Sequence, residues 1–145
     1  MFIDIKNQTA NPVVRNIFSK SLFDQSEAGI DKSLKPYREN EDYYLYAWIV
    51  NDKILGTCGF QVLPDKVIIR GIAVDENERK KGIGSSMISA LREKYHMIIE
   101  AETNDGIVEF YKKNGFEATP FERVFENSTM RRWTCVLSKI IKESE

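Results

Sequence analysis

Ile72-Ala73-Val74-Asp75-Glu76-Asn77-Glu78-Arg79-Lys80-Lys81-Gly82-Ile83-Gly84-Ser85-Ser86 is the stretch on which the fold turns. An apolar, strand-forming run enters a basic turn spaced by two glycines. Helical periodicity follows at once from Ser85 to Tyr95, with Met87, Ile88, Leu91 and Tyr95 on one face. Strand, glycine turn and helix together make an anion cradle. Glycine lets backbone approach a ligand closely, the first-turn N–H groups lack helical partners, and the helix dipole adds its positive end. Arg79, Lys80 and Lys81 supply the charge that a pyrophosphate needs.

Spacing separates the phosphate-binding designs that use these parts. A P-loop requires Gly, four residues and then Gly-Lys-Ser/Thr, an order absent here. A dinucleotide fingerprint requires a third glycine, where this chain has Met87, and it opens a βαβ unit. Upstream, Tyr43 to Val50 and Ile54 to Val62 read as strands joined by a tight turn at Asn51-Asp52-Lys53. Pro64-Asp65 then turns the chain into Val67 to Val74. The cradle therefore follows an antiparallel meander, and both designs fail.

Working outward, Met97 to Glu102 reads as a strand and Asp105 to Asn114 as a helix stopped by Gly115. Further strands surround Phe116 to Phe125 and Arg132 to Ser138. At the other end, Met1 to Ile5 is a first strand. Asn11-Pro12 starts a helix whose stripe is Val13, Val14, Ile17, Phe18 and Leu22. Residues 26–40 are polar, contain Gly29 and Pro36, and read as a loop or broken second helix. The order predicts one α/β (α+β) domain over residues 1–145, a mixed sheet flanked by helices.

Composition bounds the function. The 145 residues are 42% hydrophobic and 30% charged with net charge −1, which fits one folded domain and excludes a wholly basic nucleic-acid surface. Cys58 and Cys135 lie in apolar runs and read as small buried hydrophobes in a reducing compartment. One histidine, His96, at a helix-to-strand junction, leaves too few ligands for zinc, so no metal is expected. Met1 to Lys6 is not a signal sequence and no window is long and apolar enough for a membrane helix. A cytoplasmic protein is expected, with no membrane partner.

Arg-x-x-Gly-x-Gly after a strand ending Ala-Val-Asp resembles the pyrophosphate motif of the GNAT superfamily of N-acetyltransferases. A second match raises the specificity. Asn104-Asp105-Gly106-Ile107-Val108-Glu109-Phe110-Tyr111-Lys112-Lys113-Asn114-Gly115-Phe116 is similar to the family's later motif, an Asn or Asp followed seven residues on by Tyr and then by Gly-Phe. The resemblance spans roughly Tyr43 to Phe116. It implies a mostly antiparallel sheet of six to seven strands, splayed between the strand ending at Val74 and the one starting at Met97.

The same resemblance implies acetyl-CoA as cosubstrate and transfer of its acetyl group to an amine. Backbone from Lys80 through Lys81, Gly82, Ile83, Gly84 and Ser85 would hold the pyrophosphate, with Arg79 at the turn. Ile72, Ala73 and Val74 would face the pantetheine, like an added strand. Asn104 would border that arm or the start of the next helix. Tyr111 would be the general acid that protonates the departing thiolate, against the plainer role of a core aromatic. The strand before the cradle lacks the glutamate that some relatives use as base. Glu102, and less so Glu100, on the next strand are the remaining candidates.

A non-catalytic acyl-CoA-binding module is the alternative. Nucleic-acid acceptors, known in the family, sit poorly with net charge −1. The expected acceptor is a small-molecule or peptide amine, and a homodimer is compatible with the family. Arg131-Arg132-Trp133 reads as a solvated edge or, more sharply, as a site for an acidic group on the acceptor. No motif identifies the acceptor or the acyl-chain length.

Overall fold

Alternation along Tyr43–Val50 decides which layer each helix occupies. Leu45 and Ala47 are buried against one cluster with Ile5, Val14, Phe18, Ile30, Leu34 and Tyr37. Tyr44, Tyr46 and Trp48 face a second cluster built on Phe60, Met87, Leu91 and Ile99. Successive strand residues point to opposite faces, so one strand feeds two cores. A computed structural model describes residues 1–139; residues 140–145 of the expected domain lie outside it.

The strands are β1 (Phe2–Asp4), β2 (Tyr43–Val50), β3 (Lys53–Val62), β4 (Lys66–Val74), β5 (Ile98–Thr103), β6 (Glu117–Phe125) and β7 (Ser128–Leu137). They form one seven-stranded sheet in the order β1-β2-β3-β4-β5-β7-β6. Every pairing is antiparallel except β4 with β5. Helices α1 (Pro12–Ser19) and α2 (Glu27–Glu39) cover one face; α3 (Ile83–Tyr95) and α4 (Val108–Lys113) cover the other. This is the mixed sheet flanked by helices that the strand pattern predicts, and it is mostly antiparallel with seven strands, as the resemblance implies.

Two local expectations need correction. Residues 26–40 are not a broken loop, because α2 runs unbroken from Glu27 to Glu39. The Ser26 side chain caps it by accepting from Gly29 N at 3.1 Å, and Ile30, Leu34 and Tyr37 bury one stripe at helical spacing. Gly29 allows close approach to Asp24, and Pro36 sits in the last turn, where its carbonyl still accepts from Asn40 N at 2.9 Å. In α1, Val13 is 52% exposed and outside the core stripe, and Leu22 lies past the helix end.

The parallel pairing of β4 and β5 is short. It joins Lys66–Ile69 to Ile98–Ala101 and stops there. β4 then runs on through Arg70–Val74 beside β3 alone, while Glu102 and Thr103 of β5 stay with β7. A β-bulge marks the parting: Gly59 pairs with Gly71 and Phe60 with Ile69, so Arg70 has no partner across the ladder. Bulges bend and twist a strand, and here the bend opens the sheet. The expected splay is present.

Candidate active site

The open edge of β4 carries unsatisfied backbone. Asp75 N donates to Leu55 O at 2.9 Å, so Asp75 faces β3, and by alternation Ala73 does too. Ile72 and Val74 consequently aim their N–H and C=O groups away from β3, along the gap. An extended ligand can pair with that edge as a strand does.

Beyond Val74 the chain makes a short 3-10 turn over Glu76–Glu78 and then the basic turn. Lys80 (φ 66°) and Gly82 (φ 79°) both take left-handed backbone. Ser86 N bonds to Gly82 O at 2.9 Å, leaving Ile83, Gly84 and Ser85 as first-turn donors without helical acceptors. A Cβ built on Gly82 would meet nothing within 4 Å, so open space lies over this backbone. A Cβ on Gly84 would press on the Phe110 ring at 2.8 Å, so this glycine seats α3 against α4. The cradle therefore fits a pyrophosphate, with Arg79 and Lys80 exposed and without ion pairs among the described residues. Lys81 is a partial correction: its ammonium is turned to Glu78 at 2.9 Å, so only its backbone is free to serve the cradle.

The gap itself is a cleft of about 540 Å³ that draws residues from both faces of the sheet. Ile72, Asn104, Ile107 and Tyr111 line one side; Lys20–Phe23, Arg70, Met130 and Arg132 line the other. Asn104 is occupied with folding. Its Oδ1 accepts from Gly106 N at 2.9 Å and Ile107 N at 3.1 Å, organising the chain into α4.

The Tyr-x-x-x-Gly-Phe pattern has a physical cause. Phe116 N bonds to Tyr111 O and Gly115 N to Lys112 O, both at 3.1 Å, a Schellman closure that needs the positive φ of Gly115 (89°). The Phe116 ring then packs edge-on against Tyr111 at 5.1 Å. Tyr111 is thus locked at the end of α4, 4% exposed, with its side chain on the cleft. Burial pushes its pKa well up, with the neighbouring Cys58 and Cys135 adding to it; no hydrogen bond is among the causes. The hydroxyl stays protonated across the ordinary pH range.

Glu102 is the only carboxylate lining the cleft among the described residues, but two guanidinium groups hold it. Arg123 Nη2 lies 2.7 Å from one oxygen and Arg132 Nε 3.0 Å from the other. Its partial burial raises the pKa, and the hydrogen bonds from Arg123 and then Arg132 outweigh that, for a net lowering. A carboxylate stabilised in this way has little affinity for another proton. The expected role of Glu102 as general base loses its physical basis. Glu100 pairs with Lys66 at 3.2 Å and does not line the cleft.

A pH test follows from the sign of that shift. A depressed carboxylate pKa contributes stability that is complete above the ordinary value of 4.5 and is lost as pH falls through the folded value. Glu102→Gln should flatten that part of the melting-temperature profile, by less than about 1 kcal/mol for so exposed a pair. The same variant should keep the shape of the pH–rate profile near neutrality.

Remaining candidates are structural. Cys58 and Cys135 are free and buried, and burial pushes the Cys58 thiol up to about 12. His96 is exposed, capping α3 in a left-handed conformation. Arg131 pairs with Asp105 at 2.8 Å, which also accepts from Trp133 Nε1 at 2.6 Å. Arg131 and Trp133, within β7, thereby pin that strand to the turn that leads into α4. Arg131 already has its acidic partner within the chain. Among the described residues no helix is long and apolar enough to cross a membrane.

The sequence model of the acetyltransferase (GNAT) domain matches residues 41–118, more than half of the chain. The chain belongs to the GNAT acetyltransferase family. The matched segment of this GNAT domain runs from the start of β2 to the start of β6 and includes the cradle, the splay and Tyr111. An uncharacterised N-acetyltransferase from the lysA 3′ region of Bacillus methanolicus is 36% identical over 67 residues, covering 46% of this chain and 56% of that relative. The match thus spans little more than half of that relative's length.

Solved structures agree on the fold. A GNAT-family protein from Desulfovibrio desulfuricans superposes with TM-score 0.77 at 14% identity, covering 95% of this chain and 98% of the other. The ribosomal-protein-S18-alanine N-acetyltransferase of Escherichia coli gives 0.73 at 18% identity, with 100% and 97% covered. A GNAT acetyltransferase of Elizabethkingia anophelis with acetyl-CoA bound gives 0.67 at 18% identity, with 97% of each chain covered.

Proposed function

We propose that this protein is an N-acetyltransferase that moves an acetyl group from acetyl-CoA to a primary amine of a small molecule or peptide. One observation carries the proposal: the unpaired β4 edge leads without interruption into the glycine cradle, and the Tyr111 side chain faces the same gap. The first-turn N–H groups of Ile83, Gly84 and Ser85, with Arg79 and Lys80, bind the pyrophosphate. Ile72 and Val74 pair with the pantetheine.

The amine enters from the side lined by Lys20–Phe23. Its lone pair attacks the thioester carbonyl, whose oxygen gains charge close to the free N–H groups of β4. As the C–S bond breaks, the CoA thiolate takes the Tyr111 proton, and the proton that the amide nitrogen loses to water restores the phenol. The amine arrives neutral, because Glu102, the one carboxylate lining the cleft among the described residues, is held by two guanidinium groups.

The test is release of free CoA thiol on mixing acetyl-CoA with a panel of primary amines. Release that needs both reactants is expected. The reagent for free thiols should not register Cys58 or Cys135, which are fully buried. Tight acetyl-CoA binding without release for any amine would overturn catalysis in favour of a binding module.

A further inference from the structure

Arg70 is held in place without being neutralised. As the bulged residue of β4 it has no ladder partner, and its position at the parting of β4 and β5 puts it on the cleft wall. Its Nη2 donates to Gln61 Oε1 at 2.6 Å, and Gln61 Nε2 donates to Asp42 Oδ2 at 2.7 Å, so Asp42 orients the Gln61 amide. The guanidinium also rests over the Tyr43 ring at 5.9 Å. Among the described residues it has no carboxylate partner, so its other N–H groups remain available to a ligand. Lys20, on the same cleft, likewise has no ion pair there.

Charge bookkeeping points the same way. Among the described residues the lining holds Lys20, Arg70 and Arg132 against Glu102 alone, a formal +2 on a chain of net −1. Glu102 is saturated by Arg132 and Arg123. A polycationic acceptor would therefore meet unmatched like charge. These cations are also not the cofactor's: four residues of extended chain, roughly 13 Å, separate Arg70 from Val74, and the cradle lies beyond that. Exposed Phe23, Met130 and Ile107 add an apolar rim.

Resting on the acetyltransferase reading, we propose that the acceptor is an amine carrying an oxyanion, a carboxylate or phosphate ester, which Arg70 and Lys20 engage. A planar guanidinium with free N–H groups recognises either oxyanion through paired hydrogen bonds. The oxyanion, held at Arg70, orients the amine toward the thioester.

The experiment reads binding, so that it stands apart from turnover. Protein saturated with CoA is melted with α-amino acids against their amides, with phosphoethanolamine against ethanolamine, and with spermidine. A further shift with the amino acids identifies the carboxylate arm, and one with phosphoethanolamine the phosphate arm. Amides, ethanolamine and spermidine should add none. Arg70→Gln should abolish the added shift, or weaken acceptor binding about tenfold, while leaving the shift from CoA itself intact. Equal shifts with acids and amides, a shift with spermidine, no shift with any anionic amine, or a preference that survives Arg70→Gln would each overturn the proposal. Loss of the CoA shift in the wild type would instead strike at the acetyltransferase reading.

Discussion

Tyr111→Phe should lower kcat by on the order of a hundredfold while leaving the KM for acetyl-CoA and the melting temperature close to wild type. The split follows from what the hydroxyl touches. The ring does the packing, against Phe116 and Phe110, and Phe keeps the ring. No hydrogen bond figures among the causes of its pKa shift, so its removal leaves no orphaned partner and costs little stability. What is lost is the proton donor on the cleft wall. A kcat equal to wild type would show that the thiolate takes its proton from solvent and would reduce Tyr111 to a packing residue.

Gly82→Val should raise the KM for acetyl-CoA by tenfold or more, on the order of one charge-assisted hydrogen bond. Two causes add. The residue sits at φ 79°, where a β-branched side chain is strained by about 1–2 kcal/mol, and its Cβ enters the open space above the first-turn donors. Gly82→Asn separates them, because Asn tolerates left-handed backbone but still places a Cβ in the cradle. Affinity lost in both variants assigns the space to the ligand; loss in Val alone assigns it to backbone strain. Full affinity in both would remove the cradle from the binding site.

What was legible in the sequence was local. Strand, glycine turn and helix from Ile72 to Ser86, and the helix stop at Gly115, are written in adjacent residues whose φ requirements only glycine meets easily. The splay came with the family resemblance, and the Arg70 bulge that opens it left no mark, because a bulge depends on the register of two strands. The ion pairs that hold Glu102 were hidden for a similar reason. The Glu102 partners, Arg123 and Arg132, lie 21 and 30 residues away and arrive only when β6 and β7 fold back beside β5. Residues 26–40 misled because Gly29 and Pro36 are strong local breakers. The burial of Ile30, Leu34 and Tyr37 overrides them once α2 has a sheet to lie on.

The acceptor wall was the least legible part. It combines the α1–α2 connection, a bulge on β4 and side chains of β7, three segments without a motif between them. Ser21 Oγ comes within 2.9 Å of where a Gly71 Cβ would be, so the wall also depends on a glycine whose purpose shows only in three dimensions.

Thermal melting of the wild type and Gly82→Val with acetyl-CoA, ATP or NADH tests the central claim most directly. A ligand at a hundred times its dissociation constant adds about 2.7 kcal/mol of stability, enough for a clear shift. The account predicts a shift of the wild type with acetyl-CoA, none with NADH or ATP, and a much smaller one for Gly82→Val. A wild type that melts at the same temperature with and without saturating acetyl-CoA would contradict it.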